Sequence, residues 1–162
     1  MGALVLRNAP YSNYAENVPV VDQWIHVLRA TRTLPQSTAR AEFVVSGGLV
    51  CVKAMVGIVT TALGAGTTPE LRINANPATG TTTQIATYVN VASDEVGTLY
   101  YVEGDGTALV AVSSGYAQTA NGNGFIVDVG DIESETDESI AGSIEWHLWY
   151  QPLEETARVT LE

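Results

Sequence analysis

The sequence predicts an all-β protein: an antiparallel β-sandwich of jelly-roll type over residues 38–162, preceded by an extended N-terminal arm over 1–37. Three observations predict it. Runs rich in β-branched and aromatic residues recur at intervals of about 8–15 residues, with Gly-, Pro- and Asn-containing turns between them. No stretch of about ten residues carries a 3.6-residue apolar period flanked by capping residues. The composition is 46% hydrophobic and only 15% charged, too apolar for disorder, so Thr, Ser, Asn and backbone must supply much of the polar surface. A chain of 162 residues suits one domain with a continuous core.

The elements follow in chain order. In residues 1–37, Pro10, Pro19 and Pro35 disfavour a helix and bias their predecessors toward extended backbone. Neither period is sustained there, although Trp24–Ala30 reads as a short strand. A segment this apolar, without a core of its own, is expected to lie on another surface. Tyr11, Tyr14 and Trp24 are its expected partner-binding anchors, and Arg29 and Arg32 its expected charge contacts. From Arg40 onward the punctuation is regular. Glu42–Ser46 runs into Gly47-Gly48, a hairpin signal, and Leu49–Thr61 resumes. Further strands are expected at Glu70–Ala75, Thr82–Val91, Gly97–Val102, Ala108–Ser113, Phe125–Val129, Ile132–Glu135 and Ser143–Tyr150.

Alternation refines two of these. Leu49–Thr61 is apolar at both parities. Ile144–Tyr150 places Ile144, Trp146, Leu148 and Tyr150 on one side and Glu145, His147 and Trp149 on the other. Two tryptophans facing opposite ways call for apolar material on both faces. Val52, Met55, Trp146 and Trp149 are therefore expected at an interface between copies of the chain, with a trimer favoured over a dimer.

Charge and composition narrow the function. The net charge of −11 argues against binding nucleic acid through phosphates and against a polybasic membrane anchor. No apolar run approaches the roughly 18 residues of a membrane helix. Met1–Leu6 is too short for a secretory signal, and Arg7 follows it, so synthesis in the cytoplasm is expected. Residues 1–81 carry six basic against four acidic side chains, whereas residues 82–162 carry one against fourteen. If the halves occupy different faces the molecule is electrically two-sided; if they interleave, the asymmetry is diluted.

Catalytic signals are sparse, and no catalytic residue or cofactor is expected. Cys51 would need His26 or His147 to act as a nucleophile, but its apolar strand reads as a small buried hydrophobe. The two histidines lack the spacing of a metal motif. Gly104-Asp105-Gly106 and Gly122-Asn123-Gly124 lack the continuation of a phosphate loop and read as turns. Residues 128–138 hold six carboxylates, of which Asp128, Asp131, Glu133 and Glu135 are candidate calcium ligands. The competing reading is a solvated acidic edge that discourages edge-to-edge pairing, because Asp131, Glu133 and Glu135 alternate.

Several segments resemble a known group of proteins. They are Leu34–Thr38, Phe43–Gly48, Met55–Thr61, Thr79–Thr82, Val96–Tyr100 and the ending Gly142–Leu153. Together, over roughly residues 34–153, they resemble small β-rich structural proteins encoded among the head and tail genes of tailed bacteriophages. The resemblance implies a virion component, foremost a capsid decoration (cement) protein seated on the major capsid protein lattice as a trimer or dimer. It supplies no catalytic residues, and the acidic second half departs from its pattern. A tail or head-fibre base protein is the first alternative. A carbohydrate-binding sandwich is the second, and it calls for an exposed aromatic platform.

Overall fold

The computed structural model describes residues 24–103, 110–112 and 124–162, so the expected anchors Tyr11 and Tyr14 lie outside the described residues. Among the described residues there are 11 strands and no helix, arranged as two antiparallel sheets. One sheet runs β1 (Ile25–Thr33), β10 (Ser143–Pro152), β3 (Val50–Thr61), β6 (Leu99–Tyr101) and β7 (Val110–Val112). The short β8 (Phe125–Val127) pairs with the first residues of β3. The other sheet runs β11 (Arg158–Leu161), β2 (Ala39–Ser46), β9 (Gly130–Thr136), β4 (Glu70–Pro77) and β5 (Thr83–Asn90). Pairings are nested: β1 with β10, β2 with β9, β3 with β6 and β4 with β5.

The core lies between the sheets and is built from alternate residues of each strand. In β10 these are Ile144, Trp146, Leu148 and Tyr150, the side predicted from their spacing. The strand β3 contributes Val50 and Val52, then Met55 and Val59. Its inward parity changes because the pairing with β10 slips between Val52 and Ala54, leaving Lys53 as an extra residue. Leu49–Thr61 reads as apolar at both parities because of this phase change and because the outward residues Cys51, Ala54, Val56 and Ile58 are apolar as well. The bulge also corrects the expected interface. Val52, Met55 and Trp146 are fully buried in the chain's own core and unavailable to a second copy. Of the four, only Trp149 reaches the outer face.

Gly57 stands opposite Trp146 in the β3–β10 register. A Cβ there would lie 2.6 Å from the indole ring, so the glycine makes the space that the largest core side chain fills. The Gly47-Gly48 pair also departs from expectation. It does not close a hairpin, because β2 and β3 belong to different sheets. Gly47 has φ +76, and a Cβ would meet the Thr156 carbonyl oxygen at 2.2 Å. The chain crosses between sheets under the 154–156 turn, where Glu154 Oε1 accepts from the Leu49 N–H at 3.0 Å.

The predicted arm boundary moves as well. Residues 25–33 pair along β10, so they form an edge strand of the same sandwich rather than an arm across a neighbour. Arg29 and Arg32, expected to contact a partner, turn toward the interior. Glu42 is the extra residue of a bulge in β2, since Ala41 faces Glu133 while Phe43 faces Ile132. The bulge turns the Glu42 carboxylate inward, where it is 0% exposed. Oε1 accepts from Ser134 Oγ at 2.6 Å and Arg40 Nη2 at 3.0 Å, and Oε2 lies 3.7 Å from Arg29 and 3.8 Å from Arg32. Arg29 also donates Nε and Nη2 to the Glu42 carbonyl at 2.9 and 2.7 Å, and Nη1 to the Glu162 carbonyl at 3.1 Å. Burial pulls the Arg29 pKa below its ordinary value, and Arg32 adds to this, while Glu42 and Glu162 oppose it.

Removing one member of a buried ion cluster leaves the others unpaired, which costs about 3–5 kcal/mol. Glu42→Gln is expected to lower stability by about that amount in urea denaturation, and an unchanged midpoint would remove the cluster from the account. Gly57→Val is expected to cost about 1–3 kcal/mol or more through overpacking against Trp146, read in the same assay.

Candidate functional site

Two outer sheet faces carry polar chemistry, and they differ in kind. On the six-stranded sheet, the β1–β10 register sets His26 opposite Trp149 and Leu28 opposite His147. His26 Nε2 and His147 Nδ1 stand 3.1 Å apart, with the ring planes within 8°. His147 Nε2 is 3.0 Å from Glu145 Oε1. In the neutral tautomer of His147 whose Nε2–H the carboxylate accepts, Nδ1 is the lone-pair nitrogen and accepts from His26 Nε2–H. The Trp149 indole stacks against both imidazoles, with centroids 4.6 Å from His26 and 5.8 Å from His147. Trp24 lies under Lys53 Nζ at 5.3 Å.

Around this cluster the face is largely apolar. Trp24 and Leu28 are each 41% exposed and Ile126 is 65% exposed. Ala54, Val56 and Ile58 of β3 are half-buried between them. Cys51 belongs to this region too, half-buried rather than fully buried as expected. It pairs with Gln151 while His147 pairs with Val56, so the register holds the thiol away from that imidazole.

The outer face of the five-stranded sheet is polar and centred on Glu135. Its carboxylate accepts from Arg72 Nε at 2.9 Å and Nη2 at 2.6 Å, and from Asn74 Nδ2 at 2.6 Å. Tyr88 donates its hydroxyl at 3.4 Å, and the Arg72 guanidinium lies 4.5 Å over its ring. The hydrogen bond from Arg72 holds the Glu135 carboxyl below the usual range, with Asn74 adding to it. Reciprocally, Glu135 raises Arg72. Burial pushes the Tyr88 hydroxyl up.

These contacts occupy two of the four candidate calcium ligands, and because β9 is the middle strand of its sheet the row of carboxylates is not an edge. Asp131, Glu133 and Glu135 alternate along β9, and Glu133 and Glu135 are engaged by Asn76, Asn74 and Arg72. Asp128 and Asp131 border an open cavity of about 370 Å³ together with Thr79, Thr81 and Thr83. Among the described residues, no three His, Cys, Asp or Glu side chains come together to hold a metal ion.

Of the predicted partner-binding residues, Trp24 stays on the surface while Arg29 and Arg32 are drawn toward Glu42. Of the predicted interface residues, Trp149 joins Trp24 on the same face. The meeting of the two histidines was not legible, because each sits alone in its own segment. Their register appears only once β1 is known to pair with β10.

The depressed Glu135 carboxyl contributes stability that is fully present above the ordinary carboxyl value of about 4.3 and is lost as pH falls through its lower folded value. The stability gap between wild type and Glu135→Gln is therefore expected to stay constant from about pH 7 to 5 and to close below about pH 4. Thermal denaturation across that range checks it, and a gap that persists at the acid end would mean the carboxylate charge is not the cause.

Comparison of the chain with protein-family models, with characterised proteins and with solved structures gives no match.

Proposed function

We propose that this chain is a non-enzymatic virion structural protein, a capsid decoration (cement) protein that binds the outside of a bacteriophage head through the outer face of its six-stranded sheet. The observation that carries this reading is the contrast between the two outer faces. One presents Trp24, Leu28, Trp149 and Ile126 with few charges, and the other presents a hydrogen-bonded acidic and amide network. Contiguous exposed apolar surface on a soluble domain marks a place for a protein partner. A hydrated acidic face suits the side turned to solvent, where like charge keeps particles apart. The nested pairing of eight strands supports a jelly roll, an architecture that recurs in capsid proteins and lectins.

In this reading the protein is made in the host cytoplasm, assembles as a homotrimer and seats on the major capsid protein lattice. The indole faces of Trp24 and Trp149 already carry Lys53 and His26, which weakens the carbohydrate-platform alternative.

Mass spectrometry of purified particles tests the assignment. Hundreds of copies per particle are expected; a few to a few dozen would move the protein to the tail or head fibre, and none would end the virion reading. Trp24→Ala and Leu28→Asp, both on the exposed face, are each expected to weaken binding to undecorated heads at least about tenfold with unchanged thermal stability. Unchanged binding by both variants would exclude this face as the adhesive surface.

A further inference from the structure

The chain has two histidines, 121 positions apart in sequence, and the fold sets them side by side. We propose that His26 and His147 form a two-imidazole site for a divalent transition ion of the Cu²⁺, Ni²⁺ and Zn²⁺ class. The first support is distance. Two imidazole nitrogens bound to one ion at about 2.0–2.1 Å stand roughly 2.8–3.4 Å apart for ligand angles of about 90–110°. His26 Nε2 and His147 Nδ1 are 3.1 Å apart, so turning each ring by roughly 40° off the line between the two nitrogens aims both lone pairs at one ion.

The second support is the carboxylate behind the pair. Glu145 accepts the Nε2–H of His147 at 3.0 Å, which fixes the tautomer and presents Nδ1 as a ligand. A carboxylate behind a ligating imidazole is the usual outer-shell arrangement of metal-binding histidines. Proton balance is simple. The ion takes the place of the proton shared between the rings, and His26 carries its single ring proton on Nδ1 instead of Nε2, remaining neutral. The third support is access and charge. His26 is exposed, and the chain carries a net −11 that draws cations toward its surface.

Two nitrogen ligands suit Cu²⁺, Ni²⁺ and Zn²⁺ and not Ca²⁺ or Mg²⁺, which take oxygen. Among the described residues no third protein ligand joins them, so water completes the coordination and the ion stays exchangeable.

Trp149 supplies a reporter, because its indole stacks 4.6 Å from His26. The full chain without a histidine tag is titrated with CuCl₂ while tryptophan fluorescence is followed. Saturable quenching at one ion per chain is expected. It should be reversed only by a large molar excess of ZnCl₂, which binds the same nitrogens more weakly and does not quench, and left unchanged by CaCl₂. His26→Asn and His147→Asn should each weaken Cu²⁺ binding at least about tenfold, and Glu145→Gln should weaken it about tenfold or more. Circular dichroism of each variant confirms the strand content. If the His26→Asn/His147→Asn double variant is quenched over the same Cu²⁺ range as wild type, or if CaCl₂ reverses the quenching, carboxylates hold the ion and the proposal fails.

Discussion

Glu42 is a carboxylate placed where water does not reach, and the sandwich closes around the need to satisfy it. The bulge in β2 turns it inward, and Ser134 and three arginines from two strands converge on it. Arg29 carries the greatest structural consequence, because it belongs to one sheet and its partners to the other. Its guanidinium leaves β1, crosses to the Glu42 carbonyl of β2 and reaches the carbonyl of Glu162 just past β11. At that edge of the sandwich the sheets are therefore joined by charge-assisted hydrogen bonds as well as by apolar packing. Such a cluster is a weak source of net stability but a strong source of register, since no other alignment of β1 and β2 pairs all its members.

The same contacts revise what the charge distribution means. The first half of the chain is basic by sequence, yet Arg29, Arg32 and Arg40 face Glu42, and Arg72 is engaged with Glu135. These side chains offer little positive surface to an outside partner. What distinguishes the two outer faces is apolar against polar character more than the sign of the charge.

Most strands were legible because alternation and turn residues are local signals. Ile144–Tyr150 reveals its buried side directly, and Asp131, Glu133 and Glu135 reveal an outward row. Elements whose position depends on distant partners were not legible. Nothing near Arg29 announces Glu42, and nothing near His26 announces His147. The bulges at Glu42 and Lys53 shift the parity within a strand, so in β3 the inward series changes phase while Cys51, Ala54, Val56 and Ile58 keep the outer face apolar. Gly47-Gly48 reads as a hairpin because the local chemistry of a tight turn and of a sheet crossing is alike. The last strand, Arg158–Leu161, is too short to carry a pattern of its own.

The nested pairing also dictates the order in which this protein completes itself during synthesis. The first described strand, β1, finds its hydrogen-bonding partner only in β10, so its ladder and the contact of His26 with His147 wait for nearly the whole chain. The innermost pair, β4 with β5, is separated by a short loop and closes early. The outer pairs join residues far apart in sequence, a topology that makes for slow folding. Until β10 emerges, β1 has both backbone edges open and carries Ile25, Val27 and Leu28, a strand ready to pair with the wrong neighbour. The charge on Arg29 and Arg32 then has a second use on the nascent chain. It opposes such pairing until Glu42 draws Arg29 into the interior and Arg32 to its rim.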